Sequence, residues 1–281
     1  MTNVASRTEP PTTARRADSG SYDSDHPVHA SRSLFIAAEP RTGSTLLSNA
    51  LWASGIAGMP AEYFHSFFVF NFAKRWGTPK PDLRGRFGDA RRLAADRGTR
   101  RDYFSLRPNS VPPFLNRLAS ERASDNGVFA VKTLYDDFHR VVLSIGLDHQ
   151  QLPGEVQFVR MRRRDTLRQA VSGAKAEKTG RWHSTDPNHN PTTPTYSRGS
   201  IEQFKVEAAR CGNGWRDYLE SHGITPHEIW YEDLADDFKG ELAKVFQFLG
   251  LDVPDPLPAA PLERTSNEID DEWVERYLAG E

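Results

Sequence analysis

The stretch Phe35 to Leu51, FIAAEPRTGSTLLSNAL, runs from an apolar strand through a tight polar turn into the first turns of a helix. A Gly/Ser/Thr turn of this kind presents unpaired backbone N–H groups, and the positive end of a helix dipole, to whatever sits above it. It is a seat for an anion. In the short form Pro40-Arg41-Thr42-Gly43-Ser44-Thr45, Gly43 is followed directly by Ser44 and Thr45. The lysine of a nucleoside triphosphate loop is therefore missing. Arg41 is the nearest cation, and the compact turn suits a phosphate or sulfate better than a triphosphate with magnesium. The competing expectation is a plain strand-to-helix turn capped by Thr42 or Ser44.

A second basic element follows the apolar run VQFVRM at 156 to 161. It comprises Arg162, Arg163, Arg164 and Asp165, then TLRQAVS as far as Ser172. Arginines at a strand end, leading into a helix that carries a hydroxyl about two turns on, make a second anion seat through fork-like guanidinium contacts. The alternative is that the three arginines are solvated beside a surface turn. Two anion seats at the carboxyl ends of strands in one sheet imply a ligand with two separated anionic groups.

The elements that must position these seats are legible as short apolar runs alternating with helical patterns. Strands are expected at 33 to 38, 128 to 132, 156 to 161 and 227 to 232, and the alternation predicts an α/β fold with a mainly parallel central sheet flanked by helices. Asp165 is placed to cap a helix that meets its first breakers at Gly173 and Gly180. Leu234, Phe238, Leu242, Val245, Phe246 and Leu249 mark one amphipathic helix ending at Gly250. Ile201, Phe204, Ala208, Cys211, Trp215 and Leu219 fall at helical spacing, which makes Cys211 a small core residue rather than a nucleophile. Residues 74 to 101 are Arg-rich and read as a solvated loop and helix face. Residues 181 to 199 hold three prolines and read as a mobile loop. His183 and His189 within it lack metal-ligand spacing, so no metal site is expected.

Composition narrows the function classes. Lys and Arg number 36 against 38 Asp and Glu, so the net charge of −2 argues against a dedicated nucleic-acid binder, and any basic site must be local. One cysteine in 281 residues rules out an intramolecular disulfide and suits a reducing cytoplasm. Residues 1 to 30 carry almost no large apolar side chains and read as a disordered tail without the apolar core of a secretory signal. No run is long and apolar enough for a membrane span.

With these motifs in order, the chain resembles the bacterial trehalose sulfotransferase family. The resemblance is carried by EPRTGSTLLSNALWASGIAGMPAEYF at 39 to 64, NGVFAVKTLYDDF at 126 to 138, RRRDTLRQAVS at 162 to 172, KTGRW at 178 to 182 and SNEIDDEWVERY at 266 to 277. It implies a single domain over 31 to 281 with a P-loop-like sulfotransferase fold, and 3′-phosphoadenosine 5′-phosphosulfate (PAPS) as donor, a ligand with the two anionic ends already inferred. It further implies that Arg41, Thr42, Gly43, Ser44 and Thr45 hold the 5′-phosphosulfate, and that Ser172 with Arg163 or Arg164 holds the 3′-phosphate. Glu62, in PAEYF, matches the family's proposed general base, with His65 as the local rival. Lys132 matches a lysine at a strand end facing the site. Tyr135 stands where relatives often have Trp, and the loops at 66 to 101 and 183 to 199 match poorly, so the acceptor is less defined than the donor.

Sulfuryl transfer to a hydroxyl of a small sugar or other small metabolite is the expected reaction, with release of PAP, in an enzyme that needs no metal. Arg41 and Lys132 would supply positive charge and Glu62 the base. The resemblance also implies a homodimer. Two other functions fit parts of the pattern: a small-molecule kinase with a variant P-loop, and a non-catalytic nucleotide-binding module.

Overall fold

The computed structural model describes residues 7–11, 17–81, 106–182, 193–259 and 268–281. His183, His189 and the Arg-rich stretch from 82 to 101 lie outside the described residues.

The sheet has four parallel strands in the order β2-β1-β3-β4, comprising β1 (Arg32–Ala38), β2 (Val128–Leu134), β3 (Glu155–Arg162) and β4 (His227–Trp230). All four expected strands are present. The last ends at Trp230, earlier than the apolar run suggested, because Tyr231 and Glu232 open a helix. Side chains alternate across the pleat. In β1, Leu34 and Ile36 pack on one face with Leu47, Val159, Ile229 and Phe246, while Phe35 and Ala37 pack on the other with Phe129, Phe158, Phe138 and Trp215. Both faces of β1 are thus covered, which is why its sequence is a continuous apolar run rather than an alternating one.

Helices cover the sheet: α1 (Ser44–Ala53), α2 (Ser66–Trp76), α3 (Val111–Arg122), α4 (Tyr135–Val141), α5 (Thr166–Thr179), α6 (Arg198–Ser221), α7 (Tyr231–Asp236), α8 (Phe238–Phe248) and α9 (Glu268–Leu278). Asp165 caps α5 as expected, accepting from the Arg168 amide at 2.8 Å, and Gly180 ends it in the left-handed conformation. The helix expected from Leu234 to Leu249 is two helices. Asp237, at φ −131°, leaves the helical region, and its carboxylate restarts the helix by accepting from the Gly240 amide at 2.9 Å. An apolar stripe can continue across such a break, so periodicity alone does not reveal it. The stripe around Cys211 is buried on α6 as its spacing predicts.

The tail expected over residues 1 to 30 departs from disorder where it is described. Ala17 and Ala30 are buried, Tyr22 packs edge-on against Trp52 at 5.0 Å, and the Arg7 carbonyl accepts from the Trp52 indole at 2.7 Å. Asp23 pairs with the fully buried guanidinium of Arg122 at 2.7 Å. Low apolar content hid this because the segment is held by a few polar bonds to buried partners, not by a hydrophobic stripe of its own.

The sheet order places the chain's change of direction beside β1, which is where open α/β sheets bind ligands. Ala38 pairs with Leu134 on one side and Met161 on the other, so the carboxyl ends of β1, β2 and β3 stop at one level. The segment between α1 and α2 is laid along the outer edge of β2, where the Lys132 amide donates to the Ala61 carbonyl at 3.0 Å. Gly58 permits this approach: at φ +73°, a Cβ there would lie 2.7 Å from the Ala130 nitrogen. Gly146 has a similar φ of +77° with nothing within 4 Å of the same position. Gly58→Ala is therefore expected to destabilise the protein by more than the roughly 1 kcal/mol that a left-handed alanine costs. Gly146→Ala should show that backbone cost alone. Chemical denaturation of the two variants beside wild type measures the difference, and equal losses would mean that the Ala130 contact adds nothing.

Candidate active site

The anion turn begins where β1 ends. Thr42 is fully buried and its hydroxyl donates backwards to the Glu39 carbonyl at 2.7 Å, so it does not cap α1. The N-cap is Gly43, at φ 74°, and α1 has no side-chain cap. The first helical bond is donated by Leu47 to the Gly43 carbonyl, leaving the amides of Ser44, Thr45 and Leu46 at an uncapped helix start. The expectation of a plain capped turn does not hold. Arg41 stands at φ 63°, the only non-glycine residue at positive φ among the described residues. Such backbone costs of order 1–3 kcal/mol and persists only where its surroundings hold it.

Those surroundings come from the second basic element. The Arg41 side chain donates from Nε to Ser172 Oγ at 3.0 Å and from Nη1 to the Trp182 carbonyl at 2.6 Å. Its backbone carbonyl accepts from Arg163 Nη1 at 3.2 Å. The two seats, far apart in sequence, are thus joined through Arg41.

The three arginines separate by the alternation of the strand end. Arg162 and Arg164 both stack on Trp230, at 4.4 and 4.9 Å, and are met by acids: Arg162 by Glu228, and Arg164 by both oxygens of Asp233 at 2.7 Å. The Asp233 bond raises the Arg164 pKa above its ordinary value. Arg163 points the other way, over the ring of Tyr231 at 4.3 Å, and burial lowers its pKa against the opposing pull of Tyr231 and Glu232. Its buried Nε has no hydrogen-bond partner. A half-buried guanidinium whose inner Nε is an unused donor, beside an uncapped helix start, fits an anionic ligand group.

The third part of the site lies at the end of β2. Lys132 is only 4% exposed. Its Nζ donates to Thr45 Oγ1 at 2.9 Å and pairs with Glu62 Oε1 at 2.9 Å. Residues from a helix start, a strand end and an edge-hugging loop therefore meet at one ammonium. The Glu62 side chain remains about a quarter exposed, open to a ligand from solvent. His65, three residues on, is the N-cap of α2, its Nδ1 accepting from the Phe67 amide at 3.3 Å. That bond leaves the neutral ring's proton on Nε2, an arrangement of a cap rather than of a base turned to the site. Asp137, on the first turn of α4, is buried against Arg140, and burial raises its pKa.

Sequence reasoning passed over Gln169, Tyr231 and Asp233. Gln169 is a buried amide one turn before Ser172 on α5, and its Nε2 donates to the Pro40 carbonyl at 2.7 Å. A polar residue on the buried face of a helix was the available signal. Glu39, at the strand end, is held among Arg160, Arg162 and Gln169, and its pKa is raised by burial. Tyr135 packs edge-on against Trp215 at 5.4 Å, and its amide donates to Cys211 Sγ.

Parallel strands, an uncapped strand-to-helix turn at the switch point and a lysine–carboxylate pair thus meet at one end of the sheet. The Stf0 sulphotransferase family model matches residues 33–280, and the chain belongs to that family. It is a sulfotransferase. It is 28% identical over 271 residues to a trehalose 2-sulfotransferase of Mycobacterium tuberculosis, covering 89% of this chain and 96% of that protein. It is 26% identical over 271 residues to a trehalose 2-sulfotransferase of Mycolicibacterium smegmatis, covering 90% and 96%. The sulfotransferase domain of the Synechococcus PCC 7002 olefin synthase aligns over 91% of this chain and 97% of that one, with 14% identity and a TM-score of 0.42. Among the described residues no three His, Cys, Asp or Glu side chains group as metal ligands, and no helix is long and apolar enough to cross a membrane.

Cys211 lies under the turn, donating with the Trp215 indole to the Ala38 carbonyl, and burial pushes its pKa up to about 12. Thiol reagents at pH 8 should therefore label native protein very slowly and unfolded protein at once. Cys211→Ser should keep turnover within a few-fold. Rapid native labelling that abolishes turnover, with Cys211→Ser inactive but folded, would return the thiol to the chemistry.

Proposed function

We propose that the chain transfers a sulfuryl group from PAPS to a hydroxyl of a small carbohydrate and releases 3′-phosphoadenosine 5′-phosphate (PAP). The observation that carries this reading is Lys132, whose ammonium bridges the start of the anion-seat helix at Thr45 and the carboxylate of Glu62. It couples a place for the departing negative charge to a place for the acceptor's proton. The names of the mycobacterial relatives support a disaccharide such as trehalose as acceptor.

When bound, the donor supplies an activated sulfuryl group at its 5′ end. The amides opening α1, with Thr42, Gly43, Ser44, Thr45 and Arg41, are the candidates to hold that end. Arg163, with its unused Nε, and Ser172 are the candidates for the 3′-phosphate. Arg164, turned outward and paired through Nη1 and Nη2 with Asp233, is the weaker candidate. Lys132 and Arg41 would neutralise charge on the phosphate oxygen as its bond to sulfur breaks. Glu62 would accept the acceptor proton as the new oxygen–sulfur bond forms, its direction fixed by the ion pair to Lys132. Fixed cations take the place of a metal in this scheme, and a homodimer in the cytoplasm is the proposed working form. A product heavier by sulfate, identified by mass spectrometry from purified protein, PAPS and a panel of sugars, tests the reading. No sulfated product, or a phosphorylated one formed only with ATP, would overturn it.

Arg163→Ala should weaken PAP binding much more than binding of adenosine 5′-phosphosulfate, which lacks the 3′-phosphate. A charge-assisted contact is worth roughly 1.5–3 kcal/mol. Arg164→Ala should leave both nearly unchanged, and calorimetry on the two ligands separates the arginines. Glu62→Gln should keep PAP affinity while lowering turnover by about 10²–10⁴, the usual range for a lost general base. Turnover near wild type in Glu62→Gln would remove that role and make His65→Asn the next variant to assay.

A further inference from the structure

The backbone of the anion turn is held through its carbonyls. Thr42 Oγ1 donates to the Glu39 carbonyl at 2.7 Å, Gln169 Nε2 to the Pro40 carbonyl at 2.7 Å and Arg163 Nη1 to the Arg41 carbonyl at 3.2 Å. In a trans peptide the N–H points opposite to the C=O, so each anchored carbonyl fixes the aim of the following amide. The first of these peptides precedes proline and has no N–H to aim. The second, gripped by Gln169, aims the amide of Arg41, the residue held at φ 63°. The third, gripped by Arg163, aims that of Thr42.

Of the three donors, Gln169 is the one the reaction gives no other task. It is 2% exposed, its side-chain amide donates to the Pro40 carbonyl, and it lies beside the Glu39 carboxylate, whose charged form it favours. The helix does not need this side chain, because the Gln169 backbone amide already donates to Asp165 and the Asp165 carboxylate caps α5. A methionine has a similar volume and no N–H to donate. A buried primary amide is retained where an unsatisfied carbonyl would otherwise be left.

We propose that Gln169 is a positioning residue for sulfuryl transfer: it locks the Pro40–Arg41 peptide so that the turn receives the 5′-terminal anion of the donor, without itself touching the donor. The inference rests on the reading that this turn seats the 5′ end of PAPS. It is specific to that end, because Gln169 touches the turn and not the candidate 3′-phosphate group on Arg163.

Calorimetry with PAP and with adenosine 3′-monophosphate, which lacks the 5′ anion, tests it on wild type, Gln169→Met and Gln169→Lys. Gln169→Met should weaken PAP about tenfold, the worth of one buried hydrogen bond, and leave adenosine 3′-monophosphate within about twofold. Gln169→Lys restores a donor facing the Pro40 carbonyl and the Glu39 carboxylate, and should recover most of the PAP affinity. Equal weakening of both ligands in Gln169→Met would assign Gln169 to general packing of α5 and overturn the proposal. So would unchanged PAP affinity in Gln169→Met. If Gln169→Met does not fold, Gln169→Lys decides: PAP affinity near wild type supports the proposal, and a tenfold loss overturns it. Wild-type protein that binds PAP no more tightly than adenosine 3′-monophosphate would instead remove the underlying reading of the turn.

Discussion

A buried ammonium with two partners from different parts of the chain organises this molecule. Lys132 sits on β2 with almost no access to water, and stranding such a charge without partners would cost several kcal/mol. Thr45 comes to it from the start of α1, and Glu62 from the loop that lies along the edge of β2. Helix, strand and loop are thereby set to one another at the level where three strands end. Under the proposed chemistry the requirement that stabilises the arrangement is also the requirement of the reaction: positive charge held in place before a ligand arrives leaves little reorganisation for the moment of transfer.

The remaining cations are sorted by geometry rather than by number. Three consecutive arginines leave β3, and the pleat sends the outer two to Trp230 and its neighbouring acids and the middle one inward over Tyr231. The outer pair is neutralised close at hand, while Arg163 keeps a buried N–H unused. A site built this way concentrates its field at one turn although the net charge of the chain is −2.

Much of this was legible because it is local. The four strands are short apolar runs, Asp165 and Gly180 mark the two ends of α5, and the Gly43 turn marks the passage from β1 to α1. What escaped is what depends on distant partners. Asp237 interrupts an apolar stripe that continues unbroken in sequence, and the ordered part of the first thirty residues is tied down by single bonds to Trp52, Arg122 and their neighbours. The different surroundings of Arg163 and its neighbours depend on which acids fold up beside them. Glu62 has no periodicity or motif chemistry of its own; it was found through family resemblance, and its meeting with Lys132 is a contact across 70 residues that no local pattern encodes. Gln169 looked like one more residue of an amphipathic helix until the Pro40 carbonyl appeared opposite its amide.

The family match begins at residue 33, yet the folded unit begins earlier. Asp23 and the Ser19 carbonyl both bind the Arg122 guanidinium, and Tyr22 with the Arg7 carbonyl covers Trp52 at the end of α1. Seen from outside, the segment is a clasp running from the far end of the anion-seat helix to the end of α3, the helix before β2. Shared ancestry and physical self-sufficiency therefore draw different borders on this chain. A fusion or a truncation designed on the first would open the clasp and uncover Trp52 at the end of α1.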